Sequence, residues 1–181
     1  MVDQKHGPQG LAQSIRNVPD FPKKGIGFKD LTTLWKDHTA LKECIDIFCD
    51  RYKGERIDKV VGIESRGFIV GGALADRLGA GFVPVRKPGK LPAAKIRQEY
   101  QLEYGSDAIE IHKDAIARGE RVLLHDDLLA TGGTIQAACK LVEQLGGKIV
   151  GLSFIVELSF LKGRRRLEGY DVFSIVPFDS E

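Results

Sequence analysis

The stretch RVLLHDDLLATGGTIQAACKLVEQL, residues 121–145, decides the fold of this chain because it places a strand, a loop and a helix in succession. The apolar run at 121–125 is bounded by charged residues, which is typical of a buried strand. Residues 126–134 read as a loop with two carboxylates, two leucines and a glycine pair. From Ile135 onward, apolar residues recur at helical spacing, and a following Gly-Gly pair predicts the end of the helix.

A strand, a glycine-containing loop and a helix in this order favour an anion-binding site. The first N–H groups of a helix have no partner inside the helix, and the helix dipole favours negative charge beside them. Gly132 and Gly133 allow the backbone to approach a phosphate closely, and Thr131 and Thr134 add hydroxyl donors. The loop lacks the Gly-Lys-Ser/Thr ending of a nucleoside triphosphate P-loop. We therefore expect a different phosphate ligand here.

Two adjacent carboxylates, Asp126 and Asp127, lie directly before this phosphate loop. They would repel a phosphate unless they bind another group, and ribose hydroxyls with a nearby Mg²⁺ are suitable partners. The loop therefore predicts a ligand that carries both a 5-phosphate and a diol. The alternative without a ligand is an acidic pair at a solvated strand end.

The segment LHDDLLATGGT, residues 124–134, resembles the phosphoribosyl-pyrophosphate loop of type I phosphoribosyltransferases. The resemblance implies an α/β fold with a central, mostly parallel β-sheet flanked by helices, a small hood and a mobile β-hairpin loop. It also implies that Asp126 and Asp127 hold the ribose diol. His125 stands where the family usually has an apolar residue, and we assign no role to it. The residues implied to bind the 5-phosphate are Ala130, Thr131, Gly132, Gly133 and Thr134.

Composition sets the broad class of the protein. With 43% apolar and 29% charged residues, the 181 residues are ordinary for one globular domain, 1–181. A net charge of +2 argues against a dedicated nucleic-acid binder, and the run KGRRR at 162–166 is more typical of a solvated helix face.

Cys44 and Cys139 fall on predicted apolar helix faces, which indicates buried thiols. Neither a membrane-spanning run nor a signal-peptide pattern is present, so we expect a cytoplasmic protein without a membrane partner.

A second strand–loop–helix unit precedes the main one. Residues 60–63 predict a buried strand, 64–67 a loop of sequence ESRG, and 68–78 a helix. Such units build parallel sheets that bind ligands at the carboxyl ends of their strands, so the two loops should lie side by side. By the resemblance, this loop binds pyrophosphate through Arg66 and often contains a cis peptide before Ser65. A surface arginine is the alternative.

A basic segment follows the third predicted strand, 82–85. Its sequence RKPGK, residues 86–90, would by itself favour a solvated turn. It is similar to a family segment that contacts pyrophosphate, sometimes across a dimer interface. The resemblance implies that Arg86 and Lys90 have this role. Further strands are predicted at 148–156 and 171–176.

The N-terminal part contains the segment PDFPKKGIGFKD, residues 19–30. Its prolines and glycines disfavour regular structure, and a surface loop is the plain interpretation. The segment resembles the PDFPxxGIxFxD signature of adenine phosphoribosyltransferases, within a hood of about 1–34, although Gly27 stands where a bulkier residue is common. We predict a short helix at 11–18 before it, and a helix capped by Asp37 that runs to about Tyr52. The residues implied to bind adenine are Phe28 and Leu128 by stacking, and Ile26 and Lys29 by their backbones.

Residues 91–104 begin with a turn and then alternate between apolar and polar side chains, which predicts a strand of a half-buried hairpin. Residues 107–112 predict a further strand. By the resemblance, about 86–105 form the mobile catalytic loop, which closes to exclude water. The sequence YQLEYG at 100–105 matches the family pattern YxLEYG. That match implies Glu103 as the catalytic carboxylate and Tyr104 as a neighbour that contacts phosphoribosyl pyrophosphate.

The resemblance implies a purine-salvage enzyme that converts adenine and phosphoribosyl pyrophosphate to AMP and pyrophosphate. Mg²⁺ would be held mainly by pyrophosphate and water rather than by protein side chains, and homodimers are usual in the family. One alternative is the same chemistry on hypoxanthine, guanine, xanthine or orotate. Another is a regulator that binds phosphoribosyl pyrophosphate without catalysis.

Overall fold

The computed structural model of the chain describes residues 7–101 and 105–180. Strands and helices alternate along most of these residues. In chain order the elements are α1 (Pro8–Gln13), β1 (Arg16–Val18), β2 (Phe28–Asp30), α2 (Thr32–Trp35), α3 (His38–Tyr52), β3 (Lys59–Ile63), α4 (Gly67–Arg77), β4 (Gly81–Val85), β5 (Lys95–Gln101), β6 (Ser106–His112), β7 (Arg121–Leu129), α5 (Gly133–Gln144), β8 (Lys148–Leu158), two 3₁₀ turns (Ser159–Leu161 and Gly163–Leu167) and β9 (Val172–Phe178).

A parallel sheet with the strand order β4-β3-β7-β8-β9 forms the centre of the described fold. The middle strand, β7, is buried on both faces. Val122 and Leu124 belong to the core on the α5 side, whereas Leu123 belongs to the core formed with α3 and α4. Burial on both faces explains why this strand reads as a continuous apolar run. The predicted α/β class with a mostly parallel sheet is confirmed.

The predicted cap of α3 is confirmed. The side chain of Asp37 accepts hydrogen bonds from the N–H groups of Thr39 and Ala40, which supplies partners for two N–H groups of the first turn.

The thiols of Cys44 and Cys139 are fully buried, as predicted. Burial raises the pKa of each thiol to about 12, so both remain protonated at neutral pH.

The helix predicted at 11–18 is wrong in its second half. Helix α1 ends at Gln13, and residues 16–18 form β1, which pairs antiparallel with β2 so that Val18 lies opposite Phe28. Pro19 disfavours a helical backbone at the residue before it. The extended backbone also lets Arg16 form an ion pair with Asp30. As a result, a short two-stranded ladder holds Phe28 in place.

The loop predicted at 126–134 is also too long. Strand β7 continues to Leu129 because β8 supplies partners along this whole length, with Asp126 opposite Phe154 and Leu129 opposite Glu157. Charged residues favour a loop in a single sequence, but their backbone groups pair wherever a neighbouring strand is available. The two carboxylates therefore lie on a rigid strand rather than on a loop.

The predicted hairpin is confirmed as an antiparallel pair of β5 and β6 that forms a separate sheet. Backbone hydrogen bonds of 2.9 and 2.7 Å between Arg86 and Glu110 connect it to the end of β4. Glu103 and Tyr104 lie outside the described residues. None of the helices within 7–101 and 105–180 is long and apolar enough to cross a membrane.

Candidate active site

The loops after β3 and β7 lie side by side at the carboxyl ends of their strands, as predicted. Between them is a cavity of about 350 Å³. The peptide bond between Glu64 and Ser65, in the first of these loops, is cis. The cavity is lined by Ile63, Glu64, Ser65, Arg66, Lys87, Ile109, Asp126, Asp127, Leu128 and Thr134.

A second hollow of about 80 Å³ opens at the start of α5. It shares Asp126, Leu128 and Thr134 with the larger cavity, so the two are contiguous. Gly132 adopts a left-handed backbone with φ of 81° and has no side chain to cap the helix. The first N–H groups of α5 are therefore available to an anion. All five predicted phosphate-loop residues, Ala130, Thr131, Gly132, Gly133 and Thr134, line this hollow.

The acidic pair lies where the two hollows meet, with Asp127 only 2% exposed and Asp126 half-buried. Burial raises the pKa of the Asp126 carboxyl well above its usual range, and repulsion from Asp127 raises it further. Burial also raises the pKa of Asp127, against the opposing effect of Arg66. Asp126 Oδ1 accepts a hydrogen bond of 2.9 Å from the N–H of Asp127.

Arg66 reaches from the first loop to the acidic pair. Its Nε lies 3.0 Å from Asp127 Oδ2, but this ion pair lacks the alignment of a hydrogen bond. Among the described residues, no donor is aligned with this buried oxygen. A buried acceptor without a donor is costly, by about 1–3 kcal/mol, unless a ligand supplies the donor. The hydroxyl groups of a ribose are donors of that kind.

Arg66 also contacts the hood. Its guanidinium lies over the half-buried ring of Phe28, 5.4 Å from the ring centroid. The ring of Phe21 packs edge-on against Phe28 at 5.1 Å, and 51% of Phe21 is exposed. The aromatic part of the hood therefore adjoins the cavity through Arg66, and Leu128 lines the cavity itself.

Both backbone groups of Ile26 form hydrogen bonds within the hood. The N–H of Ile26 donates to Lys23, and its carbonyl accepts from Phe21 at 3.0 Å. The side chain of Lys29 is buried, where it donates to Asn17 and lies 4.4 Å from the centroid of the Phe178 ring. A base whose edge meets Ile26 would therefore have to donate to the second lone pair of the Ile26 carbonyl, or the turn would have to change conformation.

In the basic segment 86–90, Lys87 is the residue that lines the cavity. Its Nζ donates to Tyr100 at 3.0 Å and pairs with Asp107. Arg86 instead donates from Nε and Nη2 to the Glu64 carboxylate, at 3.2 and 3.0 Å. Because Glu64 itself lines the cavity, Arg86 lies behind the cavity wall and next to it.

The run 162–166 is not a solvated helix face throughout. It forms a 3₁₀ turn in which Gly163 is buried, and Arg164 pairs with the buried carboxylate of Glu157. A Cβ atom on Gly163 would lie 2.2 Å from the carbonyl oxygen of Ala130. This segment thus packs against the back of the phosphate loop, a contact that the sequence did not indicate.

Comparison with known proteins agrees with this geometry. A family model described as phosphoribosyl transferase domain matches residues 32–180. The adenine phosphoribosyltransferase of Acidobacterium capsulatum is 60% identical over 168 residues, which are 93% of each chain. The crystal structure of adenine phosphoribosyltransferase from Thermoanaerobacter pseudethanolicus superposes with a TM-score of 0.92 at 53% identity, and covers 94% of this chain and 99% of that one.

A further similar structure carries ligands. It is adenine phosphoribosyltransferase from Saccharomyces cerevisiae, complexed with an imino-altritol bisphosphate and adenine. Its TM-score is 0.89 at 43% identity, over 93% of this chain and 98% of that one. Given matches of this length and identity, the chain belongs to the adenine phosphoribosyltransferase family.

Proposed function

We propose that the Mg²⁺ complex of phosphoribosyl pyrophosphate binds along the carboxyl ends of β3 and β7, with adenine between this sugar site and the hood. The reaction is that of the family: adenine and phosphoribosyl pyrophosphate give AMP and pyrophosphate, a step of purine salvage. The observation that carries the assignment of ligand positions is the pair of contiguous hollows. One has the open N-terminus of α5, and the other has the acidic pair and Arg66.

At the sugar end, backbone N–H groups of the phosphate loop and the hydroxyls of Thr131 and Thr134 bind the 5-phosphate. Asp126 and Asp127 accept hydrogen bonds from the two ribose hydroxyls, which gives the buried Asp127 Oδ2 a donor. Their negative charge also favours the positive charge that develops on the ribose ring in the transition state. The same pair therefore orients the sugar and stabilises its cationic form.

At the leaving-group end, Arg66 and Lys87 neutralise pyrophosphate. Arg86 and Lys90 remain proposed contacts, and Arg86 would exchange its present partner, Glu64, for the ligand. The carboxylates of Asp126 and Asp127 are compatible with a divalent cation that arrives with the substrate. We expect Mg²⁺ to take its oxygen ligands mainly from pyrophosphate and water rather than from protein side chains.

At the base end, Phe28 and Leu128 hold the faces of adenine, while the backbones of Ile26 and Lys29 contact its edge. Glu103, which lies outside the described residues, shares a proton with N7 as N9 attacks the ribose C1. Tyr104 contacts phosphoribosyl pyrophosphate in the same closing segment. Closure of that segment over the cavity excludes water from the activated sugar.

The domain organisation, the location and the oligomeric state belong to the same proposal. Residues 1–181 act as one domain, with a hood at about 1–34 and a mobile catalytic loop at about 86–105. The protein is cytoplasmic and acts as a homodimer. The exposed apolar side chains of Ile69 on α4 and Phe82 on β4 support a protein–protein contact on that face.

The test is AMP formation from adenine and phosphoribosyl pyrophosphate with Mg²⁺, followed by chromatography, with hypoxanthine and guanine in parallel. We expect AMP from adenine alone, and none when a chelator removes the metal. The 6-amino and 6-oxo edges reverse donor and acceptor, so a product from a 6-oxopurine would contradict the adenine site. No nucleotide from any base, with phosphoribosyl pyrophosphate still bound, would favour the regulator.

Glu103→Gln tests the catalytic carboxylate. Loss of the transferable proton should lower kcat by about 10²- to 10⁴-fold and leave both KM values nearly unchanged. Initial rates of AMP formation measure this change. An unaltered kcat would remove Glu103 from the mechanism.

A further inference from the structure

We propose that Arg164 is a positioning residue for phosphoribosyl pyrophosphate, which holds Gly163 against the back of the phosphate loop and so fixes the shape of that loop. This inference rests on the proposed function, since it assigns a role in binding one of the two substrates. Arg164 itself does not reach the phosphate hollow. It lines a separate surface cleft that shares no lining residue with that hollow.

The contact between Gly163 and the phosphate loop is made by the two backbones. A Cβ atom on Gly163 would lie 2.2 Å from the carbonyl oxygen of Ala130 and 3.2 Å from the nitrogen of Gly132. Conversely, a Cβ atom on Gly132 would lie 2.7 Å from the carbonyl oxygen of Gly163. Neither position has room for a side chain. The path of the phosphate loop therefore depends on where Gly163 is held.

The guanidinium of Arg164 ties Gly163 to the main sheet. Its Nε donates to both carboxylate oxygens of Glu157, at 2.7 and 2.9 Å. Its Nη1 donates to the carbonyl of Val172 at 2.8 Å, and its Nη2 donates to Ser174 Oγ at 3.1 Å. The Ser174 hydroxyl in turn donates to Glu157 at 2.6 Å. One side chain thus connects the 3₁₀ turn to β8 and β9.

The carboxylate that receives Arg164 is itself fixed. Glu157 is 5% exposed and lies opposite Leu129, the last residue of β7 before the phosphate loop. A buried carboxylate that loses its partner is strongly unfavourable. The pair therefore resists displacement, and it anchors the turn at the strand end from which the phosphate loop begins.

The other end of the turn is fixed to α5. The side-chain amide of Gln136 donates to the carbonyl of Arg166 at 3.0 Å, and Leu167 is buried in the core on the α5 side. Gly163 is thus held between an anchor on the sheet and an anchor on the helix. A phosphate site made of backbone N–H groups needs this support, because a displacement of about 1 Å is enough to weaken such contacts greatly.

Arg164→Gln tests the inference, with Arg165→Gln as a matched control. Both substitutions remove one positive charge from neighbouring exposed residues of the same turn, but only the first removes the bonds to Glu157. The dissociation constant of phosphoribosyl pyrophosphate is measured by calorimetry with Mg²⁺, well below the Tm of each variant. We expect at least a tenfold increase for Arg164→Gln and less than a twofold change for Arg165→Gln.

Arg164→Lys and Gly163→Ala sharpen the assignment. Lysine keeps the positive charge but lacks the several planar N–H donors of a guanidinium. Arg164→Lys should therefore bind phosphoribosyl pyrophosphate more tightly than Arg164→Gln but less tightly than the wild type. Alanine at 163 should give the same selective loss, because its methyl group displaces Ala130. In all three variants the KM for adenine should change less than twofold, which a general loss of folding would not produce.

The inference is overturned if either Arg164→Gln or Gly163→Ala binds phosphoribosyl pyrophosphate as the wild type does. It is also overturned if both substrates lose affinity equally and in proportion to a fall in Tm. Failure of the wild type to form AMP would instead refute the proposed function. The calorimetric comparison reports on the phosphate loop in either case.

Discussion

The two ends of the candidate site are built in opposite ways. The proposed phosphate end is built mainly from backbone between β7 and α5, and the turn at Gly163 packs against it so closely that no side chain fits. The proposed adenine end depends on the hood, which is held by a three-residue ladder and on which Phe21 is 51% and Ile26 44% exposed. The first end is therefore tightly packed, whereas the second is open to solvent. The difference teaches that affinity for the two substrates should respond to separate residues.

The largest effect on substrate binding is expected from Gly132→Ala. A left-handed conformation costs an alanine about 1–2 kcal/mol, and the new methyl group would also meet Gly163. Relaxation of the loop should weaken the binding of phosphoribosyl pyrophosphate by about 100-fold or more, which is equivalent to roughly 2.7 kcal/mol of binding free energy. Gly119→Ala is the control because it has a φ of 88° with open space around it. Calorimetry should show a loss of affinity for phosphoribosyl pyrophosphate in Gly132→Ala but not in Gly119→Ala. Equal losses in the two variants would contradict the role of close packing in the phosphate loop.

Asp127→Asn is expected to weaken the binding of phosphoribosyl pyrophosphate by about 10- to 100-fold, since a hydrogen bond to a charged group contributes about 1.5–3 kcal/mol. Asparagine keeps the size of the side chain and removes its charge. The KM for adenine should remain unchanged. Initial rates at varied concentrations of each substrate measure both values, and retained sugar affinity would remove the diol role.

Phe28→Ala tests the adenine end. Loss of stacking should raise the KM for adenine about tenfold, with little effect on phosphoribosyl pyrophosphate. Phe21→Ala is the matched control, because Phe21 packs on Phe28 but is more exposed. Its effect on the KM for adenine should be clearly smaller. An effect of Phe28→Ala confined to the sugar substrate would contradict the stacking assignment.

The smallest effect is a gain in stability from Asp126→Asn in the unliganded protein. Burial raises the pKa of Asp126 in the folded state, so the folded state binds more protons than the unfolded state as pH rises above about 3.9. Wild-type stability therefore falls with rising pH until the raised pKa is passed. The variant should have the higher Tm at pH 7.5, by a few degrees, and the difference should vanish in acid. A lower Tm at pH 7.5 would contradict this account.

Local patterns predicted the parts of the site that depend on short stretches of chain. Strand β3, the Asp37 cap and the phosphate loop follow from apolar periodicity and turn residues that lie within a few positions of each other. His125 also lies where its strand predicts, buried beside Ser153, with burial lowering its pKa to about 3. It stays neutral at physiological pH.

The parts that sequence reasoning missed depend on contacts between distant residues. The extension of β7 to Leu129 depends on β8, and the pairing of Arg16–Val18 depends on β2. Gly163 contacts a loop about thirty residues earlier in the chain, so no local pattern marks it. The bond between Arg86 and Glu64 likewise joins residues 22 positions apart.

The most direct test of the separation between the two ends is one set of initial rates of AMP formation. Both substrate concentrations are varied for the wild type, Gly132→Ala and Phe28→Ala. The account predicts that Gly132→Ala raises the KM for phosphoribosyl pyrophosphate alone and that Phe28→Ala raises the KM for adenine alone. If both variants raise the same KM, or each raises both equally, the two ends do not act separately and the account is contradicted.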